Sequence, residues 1–124
     1  MRQEDKELLL KDLCARLPYG VKIQVPYEDG SGYFDETVWE VNNEGPFYVN
    51  GWGIEYEYVK PYLFPLSSMT EEQKKEYQYI TERWMNDPAY SISDSIDWLN
   101  KNHFDFRCLI PKGLAIDATG LNIY

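Results

Sequence analysis

The spacing of apolar residues changes from helical to strand-like after the first 20 positions of the chain. In residues 4–17, apolar side chains recur three or four positions apart, which is typical of one buried helical stripe. The predicted stripe consists of Leu10, Leu13, Cys14 and Leu17. Pro18 cannot extend a helix, and Gly20 completes the exit. The pattern therefore predicts an N-terminal helix.

Residues 21–66 alternate between apolar and polar positions, as half-buried strands do. The first predicted strand turns Val21, Ile23 and Val25 to one face, and a second covers roughly residues 36–42. Short loops rich in Gly, Asn and Asp separate the segments. Five short strands, with one 3₁₀ turn before the fifth, predict a small antiparallel SH3-like barrel or, without closure, an antiparallel meander.

The remaining residues, 67–124, are predicted to be helical with a short mixed tail. Thr70 and Gln73 form a capping box that opens a helix with Tyr77, Ile80 and Trp84 on one stripe. A further helix runs to about residue 102. Its predicted common face consists of Ile92, Ile96, Leu99 and His103. In the tail, residues 106–110 form a helical turn or a strand, and residues 113–116 an extended segment that returns to the sheet.

Together these elements predict one α+β domain over residues 1–124. It consists of a helix in residues 1–20, a β-rich part in residues 21–66, and a helical pair with a tail in residues 67–124. A chain of 124 residues with 44% hydrophobic residues can bury one core. No apolar run approaches the roughly 20 residues of a membrane-spanning helix, and the first residues lack a signal-peptide profile. We therefore expect a cytoplasmic protein.

The cysteines indicate the state of the thiols, and the net charge disfavours some classes of binding partner. Cys14 and Cys108 are the only cysteines and are far apart, so we expect two buried free thiols rather than a disulfide. The net charge is −9, and Lys and Arg form no basic stripe. Because phosphate neutralisation supplies most of the affinity for nucleic acid, direct binding to DNA or RNA is disfavoured, as is an anionic membrane surface.

Three blocks of sequence carry a family resemblance. Residues 13–21, 59–70 and 98–107 resemble, in the same order, a group of uncharacterised proteins of gut Bacteroidales and their phages and mobile elements. The resemblance implies a bacterial or phage origin, and it implies no activity, cofactor or catalytic residue. Members of the group carry Gly where this chain has Cys108, and they differ from it over residues 118–124.

The single histidine lies in a short segment that suggests catalysis. Cys108 as nucleophile, His103 as base and Asp105 as orienting group would suit a small hydrolase. Such groups usually come from separate elements, whereas a histidine at a helix end followed by a capping aspartate explains the same residues without chemistry. We therefore predict no catalytic residue.

Metal and phosphate sites are not indicated either. The histidine and cysteines have no zinc-ligand spacing, and residues 29–32 lack both the acidic positions of a calcium loop and the lysine of a phosphate-binding loop. Glu55 and Glu57 fall on one exposed strand face, rather than in the enclosed cleft that acid–base catalysis needs. We therefore predict no metal and no cofactor.

Aromatic residues concentrate in the β-rich part. Residues 21–66 contain 11 of the 20 aromatic residues and two lysines against eight acids. A barrel this small cannot enclose all of these rings, so some reach the surface unless the helices cover them with Leu10, Ile80, Trp84 and Trp98. Exposed rings among carboxylates resemble grooves that bind proline-rich or basic peptides.

Three functional hypotheses follow. The first is a non-catalytic module that binds an unknown protein partner through an acidic, aromatic surface. Its predicted contacts are Trp39, Tyr48, Trp52 and Tyr56. The second is an acidic inhibitor that imitates nucleic acid and occupies a host DNA-binding protein. The third is a small hydrolase with its site around His103. The oligomeric state is left open by the sequence.

Overall fold

A computed structural model of the chain describes residues 2–41, 46–48, 52–53, 55–87 and 92–124. Within these residues the fold is mixed α+β, with three α-helices and two sheets. The helices are α1 Gln3–Arg16, α2 Glu71–Asn86 and α3 Ile92–Lys101. The strands are β1 Lys22–Pro26, β2 Tyr33–Thr37, β3 Glu40–Val41, β4 Pro46–Tyr48, β5 Trp52–Gly53, β6 Lys60–Pro65, β7 Phe104–Asp105 and β8 Ile116–Asp117. Short 3₁₀ helices cover Leu17–Tyr19, Tyr56–Tyr58 and Leu66–Ser68.

The predicted N-terminal helix is present, and three members of its predicted stripe pack on the interior: Leu13 is buried, and Leu10 and Leu17 are partly buried against the same core. The buried residues of α1 are Leu9, Asp12, Leu13 and Arg16, whereas Cys14 is exposed. The buried face also takes in Asp12 and Arg16, because these two side chains pair with each other in the interior. Cys108 is also exposed, so the prediction of buried thiols is wrong.

The larger sheet is open and mixed. Its order is β2-β1-β6-β7, with β8 also on β6; β1 pairs antiparallel with β2 and β6, whereas β7 and β8 run parallel to β6. The smaller sheet, β3-β4-β5, is antiparallel. A closed SH3-like barrel is therefore not confirmed within the described residues. The purely antiparallel prediction is wrong, because β7 and β8 come from the tail and align along β6.

Two groups of apolar side chains form the interior. The first packs α1 on the larger sheet and includes Leu9, Leu13, Ile23, Val25 and Leu63, each at most 1% exposed. The second lies beneath the C-terminal helices and contains Trp98, Leu99 and Phe104. The Trp98 and Phe104 rings stack with their centroids 5.6 Å apart. Burial of such side chains supplies the main driving force for folding.

The capping box at the start of α2 is confirmed, since Thr70 and Gln73 exchange hydrogen bonds of 2.9 and 3.1 Å. The predicted face of α3 is half right: Leu99 and His103 are buried as predicted, whereas Ile92 and Ile96 are exposed and the helix buries Ser95 and Trp98 instead. Trp98 reaches the interior because its ring packs between aromatic neighbours.

The tail returns to the sheet as predicted, but only from Ile116, because Gly113 lies in a turn with a positive φ of 73°. Residues 106–110 form neither a helix nor a strand; the strand lies before them as β7, and hydrogen-bonded turns follow. Within the described part of the chain, no helix has the length and apolar character needed to cross a membrane.

Candidate functional site

Among the described side chains of the β-rich part, four aromatic ones are exposed to solvent, and we refer to them as the exposed aromatic group. They are Tyr27 (48% exposed), Tyr33 (64%), Trp39 (56%) and Tyr58 (55%). They lie in the loop after β1, on β2, between β2 and β3, and at the end of a 3₁₀ helix. The helices therefore do not cover these four rings. The sequence left open whether the rings reach the surface or are covered by the helices, and these four reach the surface.

Of the four predicted contact residues, Trp39 is exposed at the junction between β2 and β3. The side chains of Tyr48, Trp52 and Tyr56 lie outside the described part of the structure. Their backbones are described: Tyr48 and Trp52 are direct partners across β4 and β5, and Tyr56 opens a 3₁₀ helix. The small sheet thus brings the backbones of Tyr48 and Trp52 together.

Sequence reasoning missed Tyr33 as a surface residue because it placed the second strand too late. That strand begins at Tyr33 rather than near residue 36, and its exposed positions are Tyr33, Asp35 and Thr37. The intervening residues Phe34 and Glu36 are half-buried. The alternation from residue 33 onward was the signal that could have located this strand.

Carboxylates surround parts of the exposed aromatic group. The negative charges of Glu57 and then Glu55 raise the pKa of the Tyr58 phenol. In the loop after β1, hydrogen bonds from Ser31 lower the pKa of Asp29, whose Oδ1 accepts the Ser31 N–H at 2.9 Å. Both aromatic and anionic groups are therefore presented by the same part of the chain.

On β2, the Asp35 carboxylate is held in place by a hydrogen bond from Tyr62, which is a buried tyrosine. The Tyr62 hydroxyl donates a hydrogen bond to Asp35 Oδ1 and accepts one from Gln24 Nε2 at 3.3 Å. Burial, and then the bond to Asp35, raises the pKa of Tyr62 to about 12. The carboxylate of Asp35 consequently has a defined position on the outward face of β2.

The three residues of the hydrolase hypothesis do not converge. His103 is 6% exposed, whereas Cys108 lies on the surface with a left-handed φ of 61°. Both carboxylate oxygens of Asp105 accept backbone N–H groups, from Leu109 at 3.0 Å and from Ile110 at 2.9 Å. Asp105 thus holds the turn after β7; no helix begins there among the described residues, so its role is to fix a turn and not to cap a helix.

Charged residues lie in the interior near this turn, and we call them the buried ion network: Asp12, Arg16 and Arg107. Arg16 Nε donates to Asp12 Oδ2 at 3.0 Å, and Arg107 Nη1 donates to Asp12 Oδ1 at 2.7 Å. The Arg16 and Asp12 side chains are 0% exposed. Arg16 Nη2 also donates to the carbonyl of Phe104, which ties α1 to β7. The sequence analysis did not identify these residues, because charged side chains are rarely buried unless they are paired and the pairing joins residues far apart in the chain.

His103 and Tyr124 close the interior beside this network. Their rings stack with centroids 3.9 Å apart and planes inclined by 11°. Burial, and then the positive charge of Arg16, lowers the pKa of His103 to about 4. The neutral imidazole is therefore the form that the fold favours at neutral pH.

The Tyr124 hydroxyl bridges two strands of the larger sheet. It accepts the Lys22 N–H at 2.9 Å and donates to the Tyr62 carbonyl at 2.8 Å. The β1–β6 pairing includes Ile23 with Pro61, so Lys22 and Tyr62 are next in register. The hydroxyl therefore satisfies polar groups where direct pairing between the strands ends.

The described residues contain no group of three or more His, Cys, Asp and Glu side chains that could hold a metal ion. Comparison with protein-family models, with curated proteins and with solved structures gave no match. The surface chemistry of the chain itself is therefore what indicates a function.

Proposed function

We propose that this protein is a non-catalytic protein-interaction module that contacts its partner through the exposed aromatic group and neighbouring carboxylates. The observation that carries the proposal is the exposure of four rings, each by about half or more, in a segment with two lysines and eight acids. Single exposed apolar residues are ordinary on protein surfaces. Aromatic residues, however, are the type most enriched at binding hot spots.

The chemistry of this surface favours a basic or proline-rich partner. Aromatic faces attract Lys and Arg cations, and flat rings pack well on extended proline-rich segments. The raised pKa of Tyr58 indicates negative potential at one of these rings. A positively charged segment of a partner protein would meet both attractions at once.

An SH3-like connection of the strands is part of this proposal. Two observations support it: β2 and β3 are separated by two residues yet pair in different sheets, and a 3₁₀ helix, Tyr56–Tyr58, precedes β6. In that arrangement Tyr27 belongs to the connection between β1 and β2, and Tyr58 belongs to the connection between β5 and β6. Closure of the sheets would bring the two connections to one side of the protein.

A second candidate function is an acidic inhibitor that imitates nucleic acid. The net charge of −9 favours it, because such a surface attracts the basic groove of a DNA-binding protein. The two candidates differ in what carries the binding energy, which is aromatic contact in the first and charge in the second.

The test uses affinity capture with the whole chain and three variants, at low and high salt. Trp39→Ala and Tyr58→Ala remove members of the exposed aromatic group, and Tyr79→Ala removes an equally exposed ring from α2 as a matched control. We expect the first two variants to weaken capture of a specific partner about 30-fold, as loss of a 2 kcal/mol hot spot does, with Tyr79→Ala unchanged. Urea unfolding of each variant verifies that it folds.

Other results would reject the proposal. Binding that disappears at high salt and is insensitive to both aromatic substitutions supports the nucleic-acid mimic instead. Equal losses in all three variants would show that the exposed aromatic group has no special role. Recovery of the protein alone under both salt conditions would count against both functions.

A further inference from the structure

Strand β2 forms one end of the larger sheet in the described part of the chain. The order β2-β1-β6-β7 leaves it paired with β1 on one side, and no described strand pairs with its other side. An edge strand presents a row of backbone N–H and C=O groups that another chain can pair with.

The hydrogen bonds at both ends of the β1–β2 pair reveal which groups point outward. The Tyr27 N–H donates to the Gly32 carbonyl at 2.9 Å, and the Val38 N–H donates to the Val21 carbonyl at 3.0 Å. Both pairs continue the same antiparallel register as β1 and β2. Hydrogen-bonded and non-hydrogen-bonded pairs alternate along such a ladder.

This alternation determines whether the backbone N–H and C=O groups of each β2 residue point toward β1 or away from it. Phe34 and Glu36 form the hydrogen-bonded pairs with β1, so their backbone groups point inward. The N–H and C=O groups of Tyr33, Asp35 and Thr37 therefore point to the outer edge. The same three residues have exposed side chains.

The protection of this edge is acidic: β2 carries Asp35 and Glu36, which repel another acidic strand but not a basic one. Natural edge strands are commonly blocked by Pro, by Lys or by a bulge, and the sequence Tyr-Phe-Asp-Glu-Thr of β2 contains neither Pro nor Lys. Its β1 partners run in unbroken register over all five residues, so no bulge interrupts it. The strand is therefore well suited to receive a basic strand.

We propose that the outer edge of β2 binds an extended basic segment of a partner protein as an added strand. This inference rests on the proposed interaction function and specifies how the partner is held. Backbone hydrogen bonds to Tyr33 and Asp35 would supply affinity, and a Lys or Arg opposite Asp35 would supply specificity. The exposed Tyr33 ring would cover the alkyl part of a neighbouring basic side chain.

Charge identifies the occupant as basic rather than a second copy of this chain. Asp35 and Glu36 lie on β2, and Glu28 and Asp29 lie in the loop that precedes it. An antiparallel second copy centred on Asp35 would place like carboxylates opposite one another, which is destabilising across a strand pair. A cationic segment reverses the sign of that interaction.

The experiment titrates the whole protein with a ten-residue peptide that alternates Lys with Val and Thr. A second peptide has the same sequence with an N-methyl group on every residue, so neither of its edges can donate hydrogen bonds. A third replaces Lys with Glu. Amide chemical shifts in NMR spectra locate the bound peptide, and fluorescence anisotropy measures its affinity.

A matched pair of variants tests the backbone directly. Tyr33→Pro removes the outward N–H without touching the ladder to β1, and Tyr33→Thr removes the same ring but retains the N–H. We expect the proline variant to bind the Lys peptide about tenfold more weakly than the threonine variant, as loss of one hydrogen bond predicts. N-methylation should weaken binding by at least this factor, and the Glu peptide should not bind.

Several outcomes would overturn strand addition. They are absence of binding by the Lys peptide, equal binding of the N-methylated peptide, equal binding by the two Tyr33 variants, and a dimer that protects the amides of β2. If the peptide instead shifts residues near Trp39 and Tyr58, the interaction function survives without strand addition. If strand addition occurs but Trp39→Ala and Tyr58→Ala have no effect on partner capture, only the aromatic contacts fail.

Discussion

The buried ion network and the exposed aromatic group reverse the usual distribution, in which charged side chains face solvent and aromatic side chains are mostly buried. Arg16 and Asp12 are charged and 0% exposed, whereas Tyr33 and Trp39 are aromatic and more than half exposed. Burial of a charge is tolerated only where partners replace its water. Arg16 has such partners for Nε in Asp12 and for Nη2 in the Phe104 carbonyl, whereas its buried Nη1 has no hydrogen-bond partner among the described residues. An opposite charge and a carbonyl beside most of its polar atoms therefore allow this arginine to be buried.

The two regions also differ in what they connect. The buried ion network joins α1 to the tail, since Arg16 and Phe104 are separated by 88 residues in the chain. The exposed aromatic group is drawn from the strands and connections of the β-rich part alone. Substitutions in the first region should therefore affect stability, and substitutions in the second should affect binding.

The largest effect is expected at Arg16. Arg16→Met leaves the buried Asp12 with Arg107 alone and should lower the free energy of unfolding by about 3 kcal/mol. Arg2→Met is the matched control, because Arg2 pairs with Glu4 on the surface, where both side chains are more than three-quarters exposed. The control should change stability by less than about 0.5 kcal/mol. Urea unfolding measures both, and similar values for the two variants would erase the contrast between the regions.

A pH effect of similar size is expected from His103. Its pKa is about 4 in the folded protein, against an ordinary value of 6.5, so the unfolded chain binds the proton more readily. Stability should therefore fall as the pH decreases from 6.5 to 4, by about 3 kcal/mol at most, and the contribution is fully present above pH 6.5.

His103→Asn provides the control for this pH effect. It removes the only imidazole, and asparagine tolerates the left-handed φ of 60° at this position. The stability of the variant should change less with pH between 6.5 and 4 than that of the parent. Parallel pH profiles from urea unfolding would show that His103 does not titrate as its burial requires.

A moderate effect is expected at the bridging hydroxyl. Tyr124→Phe leaves the Lys22 N–H and the Tyr62 carbonyl without their shared partner and should cost about 0.5–1.5 kcal/mol of unfolding free energy, since Tyr124 is 41% exposed and water can replace part of the bridge. Tyr79→Phe removes the hydroxyl of a tyrosine that is 65% exposed and should change stability by less than about 0.5 kcal/mol. Thermal unfolding measures both variants, and equal midpoints would argue against the bridge.

The smallest effect is expected at Cys108, whose φ of 61° lies in the left-handed region. Cys108→Gly should relieve strain of about 1–2 kcal/mol, most of which the greater flexibility of the unfolded chain offsets. A net gain of up to about 1 kcal/mol is expected. Cys108→Val also removes the thiol but should destabilise the protein, because branched side chains fit this conformation poorly. Greater stability of the valine variant in urea would contradict the assignment.

Local chemistry explains what could be predicted of the fold. The capping box of Thr70 and Gln73 involves residues three positions apart, and the alternation in β1 is visible within five residues. By contrast, local chemistry does not determine which face of a helix is buried. On α3, Ile92 and Ile96 are more hydrophobic than Ser95, yet Ser95 is buried because Trp98 and Leu99 on its side find aromatic and aliphatic neighbours.

The candidate site was predicted in part. Trp39 is exposed, as a contact residue must be, while Tyr33 and Tyr58 were not among the predicted contacts. The reason is that exposure of a ring depends on what the helices and tail happen to cover. For Tyr33 the alternation of residues 33–37 was an available signal, whereas no spacing rule places Tyr58, which ends a 3₁₀ helix, at the surface.

By itself, the sequence determined the local events: where α1 and α2 begin and end, the alternation of β1, and the concentration of rings and acids in residues 21–66. Tertiary structure alone decided that β7 and β8 run parallel to β6, that Arg16 turns inward, and that Tyr124 bridges Lys22 and Tyr62. These choices depend on residues up to 102 positions apart, whose meeting is governed by packing and hydrogen bonding in the folded chain.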